Sequence, residues 1–91
     1  MLKHFNITIT GRVQGVSFRA NALNEAQKLR ISGFTRNEPN GDVYMEAEGS
    51  SEDLTHFLEW CGHGPLLAKV ERILVEEGEL IPFSGFEIRK N

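Results

Sequence analysis

The chain has 91 residues, a formal net charge of −3 and 40% hydrophobic residues. That is enough apolar chain for one small core, and too little for a multidomain enzyme, a large cofactor cavity or a disordered tail, so residues 1–91 are expected to form a single domain. The acidity argues against nucleic acid as a partner, no stretch nears the roughly 20 apolar residues of a membrane span, and Cys61, the single cysteine, excludes an internal disulfide.

Met1 to Phe5 contain no apolar run of signal-peptide length, so a cytoplasmic protein is expected. For the same reason the triplet Asn6-Ile7-Thr8 is not read as a glycosylation site. Phe5, Ile7 and Ile9 alternate with Asn6, Thr8 and Thr10, which predicts a strand with one buried face, ended by Gly11. Arg12 to Ser17 read as a loop. Phe18, Ala22, Leu23, Ala26 and Leu29 then keep helical spacing up to Ser32-Gly33.

A short strand over Gly33 to Glu38, the turn signal Pro39-Asn40-Gly41 and the alternation of Val43, Met45 and Ala47 predict a hairpin that stops at Gly49. Ser50 and Asp53 have the spacing of a capping box. Leu54, Phe57, Leu58 and Cys61 form the stripe of a second helix, stopped by Gly62-His63-Gly64-Pro65. Val70, Ile73 and Val75 predict a strand whose alternation slips once, as at a bulge. Phe86 and Ile88 predict a last strand at the edge. The order is the split βαβ arrangement: an α+β, ferredoxin-like βαββαβ sandwich, with two helices on one face of a four- to five-stranded antiparallel sheet.

Chemistry concentrates in Gly11-Arg12-Val13-Gln14-Gly15-Val16-Ser17-Phe18-Arg19, between a strand and a helix N-terminus. Unpaired backbone N–H groups and the positive end of the helix dipole collect there. Gly11 and Gly15 let the amides face inward as an anion nest. Arg19, in the first turn, can grip two phosphate oxygens at once. Val13 and Val16 are expected to anchor the loop on the core. A glycine turn followed by a surface arginine would share this spacing. Neither a Walker loop nor a dinucleotide fingerprint is present.

The charge distribution favours an anion at this place. Residues 1–45 sum to +3 and residues 46–91 to −6, while residues 12–36 alone hold five basic groups against Glu25.

Ile9 to Arg19 resemble the first signature of the acylphosphatase family, and Gly33 to Val43, closing with Gly49, resemble the second. Gly64-Pro65, Ala68, Val70-Glu71 and Phe86-Glu87-Ile88 extend the resemblance over nearly the whole chain. The resemblance implies a ferredoxin-like sandwich that hydrolyses the carboxyl–phosphate anhydride of acyl phosphates with no metal and no cofactor. It maps the phosphate loop onto Arg12, Val13, Gln14, Gly15, Val16, Ser17 and Phe18. Arg19 becomes the catalytic arginine that binds the phosphate, and Asn37 the asparagine that orients the attacking water. Inorganic phosphate or sulfate is expected to fit the same loop. Thr35 stands where the family usually has a small apolar residue, and Ser17 occupies a variable position. Ser17 is expected to cap the helix rather than add a hydroxyl to the pocket.

The chemistry agrees with that assignment. A carboxylate leaving group, whose acid has a pKa of about 4, departs without a proton. Residues 11–19 offer no His, Asp, Glu, Lys or Tyr to supply one.

His56, Cys61 and His63 are too sparse a set for a zinc site, and Cys61 is expected in the core. Glu76, Glu77 and Glu79 read as a solvated edge. His4 lies on the polar face of the first strand with no evident partner. The rival function is a non-catalytic anion- or RNA-binding module of the same fold, with Phe34 or Tyr44 exposed on the open sheet. A chain starting at Met1 with no further domain is expected to act as a monomer on a small molecule, rather than as one domain of a larger assembly.

Overall fold

A computed structural model describes residues 1–90. Its elements are β1 (Leu2–Arg12), α1 (Phe18–Lys28), β2 (Ser32–Asn37), β3 (Val43–Ser50), α2 (Ser51–His63), β4 (Lys69–Gly78) and β5 (Phe86–Arg89). One sheet holds all five strands in the order β4-β1-β3-β2-β5. Both helices lie on one of its faces, as the periodicity predicts.

The expectation of an antiparallel sheet needs one correction: β5 pairs with β2 in parallel, so the sheet is mixed. The reason lies in where β4 ends. Gly78 sits opposite His4, at the rim where β1 begins. The chain then crosses to the other edge and meets β2 at its first residues, with Gly85 O accepting from Gly33 N–H at 2.9 Å. A strand entering at that rim can only run the same way as β2. Consequently β1, β2 and β5 all end at the opposite rim.

The core lies between the helices and the sheet. Ile7, Ile9, Met45, Phe18, Leu54 and Phe57 are its largest members, all essentially unexposed, and each such burial contributes roughly 1.5–3 kcal/mol. Cys61 joins them, as its stripe position predicts, and burial pushes its thiol pKa well up. His56 and His63 stay exposed, so they do not converge on it.

Two predicted strand ends move outward. β1 runs through Gly11, because β3 and β4 pair with it on either side; β3 runs through Gly49 to Ser50. The slip in the alternation of β4 is a register shift: Thr10 faces Arg72 and Gly11 faces Val70, which leaves Glu71 as the extra residue. Ser50 caps α2, its Oγ accepting from Asp53 N–H at 3.1 Å.

The second face of the sheet is not open. Residues 79–85 cross it as a strap, with the Phe83 ring 5.7 Å from His4 and 6.0 Å from Phe34. Beneath the strap His4 does have partners. Its Nδ1 lies 3.2 Å from Glu48 Oε2, and its Nε2 lies 3.0 Å from both Glu46 Oε1 and Asn6 Oδ1. Glu48 also accepts from the strap's Ile81 N–H at 2.7 Å, which ties the crossing to the sheet. Phe34 is 4% exposed. The RNA-binding reading asked for Phe34 or Tyr44 on the surface, and the strap covers Phe34.

Candidate active site

The rim where β1, β2 and β5 end carries a cleft of about 370 Å³, lined by Val13, Gly15, Ser17, Phe18, Arg19, Ala20, Asn37 and Ile88. Three segments far apart in sequence meet there: the loop after β1 with the first turn of α1, the last residue of β2, and β5.

The loop is built from the core outward. Val13 is buried and Val16 half-buried against the core, as expected, so Gly15 and Ser17 beside them are pushed to the surface. Gly15 (φ 73°) and Ser17 (φ 62°, ψ 28°) both take left-handed conformations. A serine there costs about 1–2 kcal/mol, and alternation of hand along a loop turns successive N–H groups to one side. Gln14 points away from the cleft. Its Nε2 donates to the carbonyls of Glu38 (2.8 Å) and Asp42 (3.0 Å), which fastens the loop to the β2–β3 hairpin that carries Asn37.

Ser17 holds the cap position of α1 but makes no side-chain cap hydrogen bond, contrary to expectation. Its left-handed backbone turns the residue out of the geometry in which a hydroxyl reaches the next turn. The two helix starts therefore differ. α2 has its serine cap and two acids, Glu52 and Asp53, in its first turn. α1 has no side-chain cap and no acid there, so the positive end of its dipole is left for an external anion.

Arg19, in that first turn, is the basic residue that lines the cleft. The local excess of positive charge in the sequence does not all collect here. Arg36, next to Asn37, points to the other face, where its guanidinium lies 4.8 Å over Tyr44 and its Nε donates to Glu38 at 3.1 Å. Arg12 is exposed at the end of β1, and Arg12, Gln14 and Val16 are outside the cleft lining. Thr35, beneath Asn37 on the same strand face, is fully buried, and its hydroxyl has no hydrogen-bond partner among the described residues.

A sequence model of the family described as acylphosphatase matches residues 5–88. The chain belongs to the acylphosphatase family. It is 44% identical to an acylphosphatase of Nocardioides sp. over 84 residues, which cover 92% of this chain and 85% of the relative. Crystallised Bacillus subtilis acylphosphatase superposes with a TM-score of 0.93 at 37% identity, covering 98% of this chain and 99% of that one. The Coxiella burnetii acylphosphatase does so with 0.94 at 32% identity, covering 97% and 93%.

Within this acylphosphatase-family chain, sequence reasoning singled out six of the eight lining residues. It missed Ala20 and Ile88. Ala20 is a small exposed residue one position past the arginine and gives no signal of its own. Ile88 reaches the cleft only because β5 docks in parallel.

Proposed function

We propose that the protein hydrolyses the carboxyl–phosphate anhydride of acyl phosphates, releasing a carboxylate and inorganic phosphate. The observation that carries this reading is the start of α1, left without side-chain cap or acid, which opens into the same cleft as Arg19 and Asn37.

The loop backbone at Val13, Gly15, Ser17 and Phe18 and the Arg19 guanidinium, all at the cleft, hold the phosphoryl oxygens and neutralise their charge, which is most of what phosphoryl transfer requires. The Asn37 side-chain amide orients a water on phosphorus. The water oxygen forms the new P–O bond as the bond to the bridging oxygen breaks, and the carboxylate leaves with that bond's electron pair and no proton. A phosphoryl oxygen takes the proton of the attacking water. The described lining of the cleft contains no carboxylate or imidazole, and this route asks for none.

No helix among the described residues is long and apolar enough to cross a membrane. The reading places the enzyme in the cytoplasm as a metal-independent monomer. The free edge strand β4 is rich in charge, with Lys69, Glu71, Arg72, Glu76 and Glu77, a composition that blunts edge-to-edge pairing.

Phosphate release from acetyl phosphate in the presence of EDTA tests the proposal. Turnover is expected to persist in EDTA, and a phosphate monoester, with its alkoxide leaving group, should be a poor substrate. Asn37→Ala should lose turnover while inorganic phosphate still binds. A folded protein that releases no phosphate from acetyl phosphate ends the hydrolase reading.

A further inference from the structure

The cleft is larger than a phosphoryl group needs. Its volume of about 370 Å³ falls within the roughly 300–1,000 Å³ of clefts that take whole organic molecules. Its polar groups, Gly15, Ser17, Arg19 and Asn37, are accounted for by phosphate and water. Ala20 and Ile88 are not. Ile88 is 38% exposed, on the helix-covered face of the last strand. Phe86, two residues earlier on that face, meets the core through Phe57 with ring centroids 6.0 Å apart, so the strand is anchored without Ile88. The register sets Ile88 beside Thr35, two residues before Asn37. Two residues of strand span about 6–7 Å, which leaves room for a phosphoryl group between a water at Asn37 and a substituent at Ile88.

We infer that Ile88, with Ala20, forms an apolar wall for the acyl group and selects acyl phosphates whose acyl substituent is uncharged and larger than a methyl group. The inference rests on the hydrolase reading above, since it names the substrate class of that site. Removing part of an apolar contact from such a wall changes discrimination about tenfold or more.

The test compares benzoyl phosphate with acetyl phosphate in the unaltered enzyme, Ile88→Thr and Ile88→Leu. Thr keeps the β-branching that suits a strand and removes apolar surface; Leu keeps the apolar surface. The ratio of kcat/KM for benzoyl over acetyl phosphate is expected to exceed one. It should fall about tenfold in Ile88→Thr, through KM for the benzoyl substrate, and be largely retained in Ile88→Leu. Inhibition by inorganic phosphate should not change.

Binding of phenacylphosphonate and acetonylphosphonate, in which a methylene replaces the bridging oxygen, reads the wall without turnover. Tighter binding of the phenacyl compound that Ile88→Thr abolishes supports the wall even if the hydrolase reading fails. An unchanged preference in Ile88→Thr overturns it, as does equal weakening of both compounds together with phosphate, which would make Ile88 a structural residue.

Discussion

Arg19 is the basic residue lining the cleft, and in the proposed reaction its position in the first turn of α1 would let a planar fork, rather than a point charge, meet the phosphoryl oxygens. Arg19→Ala should therefore lower kcat for acetyl phosphate by about 10²–10³, and Arg19→Lys should recover little of it. An alanine variant with unaltered kcat would remove Arg19 from the reaction. A second residue reports on the opposite face. Tyr44, the single tyrosine, has its pKa pushed up to about 12, first by burial and then by its 2.8 Å hydrogen bond to Glu46, with Arg36 opposing. The folded pKa lies above the unfolded value near 10. The stabilising contribution is then complete below pH 10 and is lost as pH rises toward 12. An absorbance titration of tyrosinate should show a midpoint near 12, and Tyr44→Phe should flatten the alkaline end of the stability profile. A midpoint near 10 would contradict the half-buried hydrogen bond to Glu46.

Among the elements, the pairing of β1 with β4 tolerates little change at its bulge. Gly11 has φ 134°, and a side chain there would run into the backbone of Lys69 and Glu71 at the bulge. Gly11→Ala should cost about 2–3 kcal/mol, or roughly 10–20 °C in Tm for a domain of this size, measured by thermal unfolding. A small shift would mean that β4 yields freely. The bulge itself was legible in the sequence, because the spacing from Val70 to Ile73 breaks an otherwise regular alternation. The helices were legible for the same reason, although α1 ends at Lys28, short of the Leu29 that its stripe included and of the Ser32-Gly33 stop. The direction of β5 was not. Two apolar residues, Phe86 and Ile88, specify a strand with one buried side but say nothing about which way it runs beside β2. That is decided by where β4 ends and by the strap between them.

At the scale of the whole molecule, what could be read in advance was what is local in sequence. Loop, Arg19 and Asn37 sit in long motifs, and the structure brings Arg19 and Asn37 to one cleft. His4 meets Glu48 across 44 positions of chain, a pairing that no local pattern announces, and Ile88 depends on the same long crossing. The orientation of the sheet has a practical side. β1 begins at the far rim, where Ser51 N–H donates to the Met1 carbonyl at 3.1 Å, whereas β5 ends at the rim that bears the cleft. The two ends of the described chain thus lie at opposite poles of the sheet. An affinity tag, dye or surface linker joined ahead of Met1 would hold the protein with its cleft turned outward. The same attachment after β5 would sit at the mouth of the cleft and compete with substrate for entry.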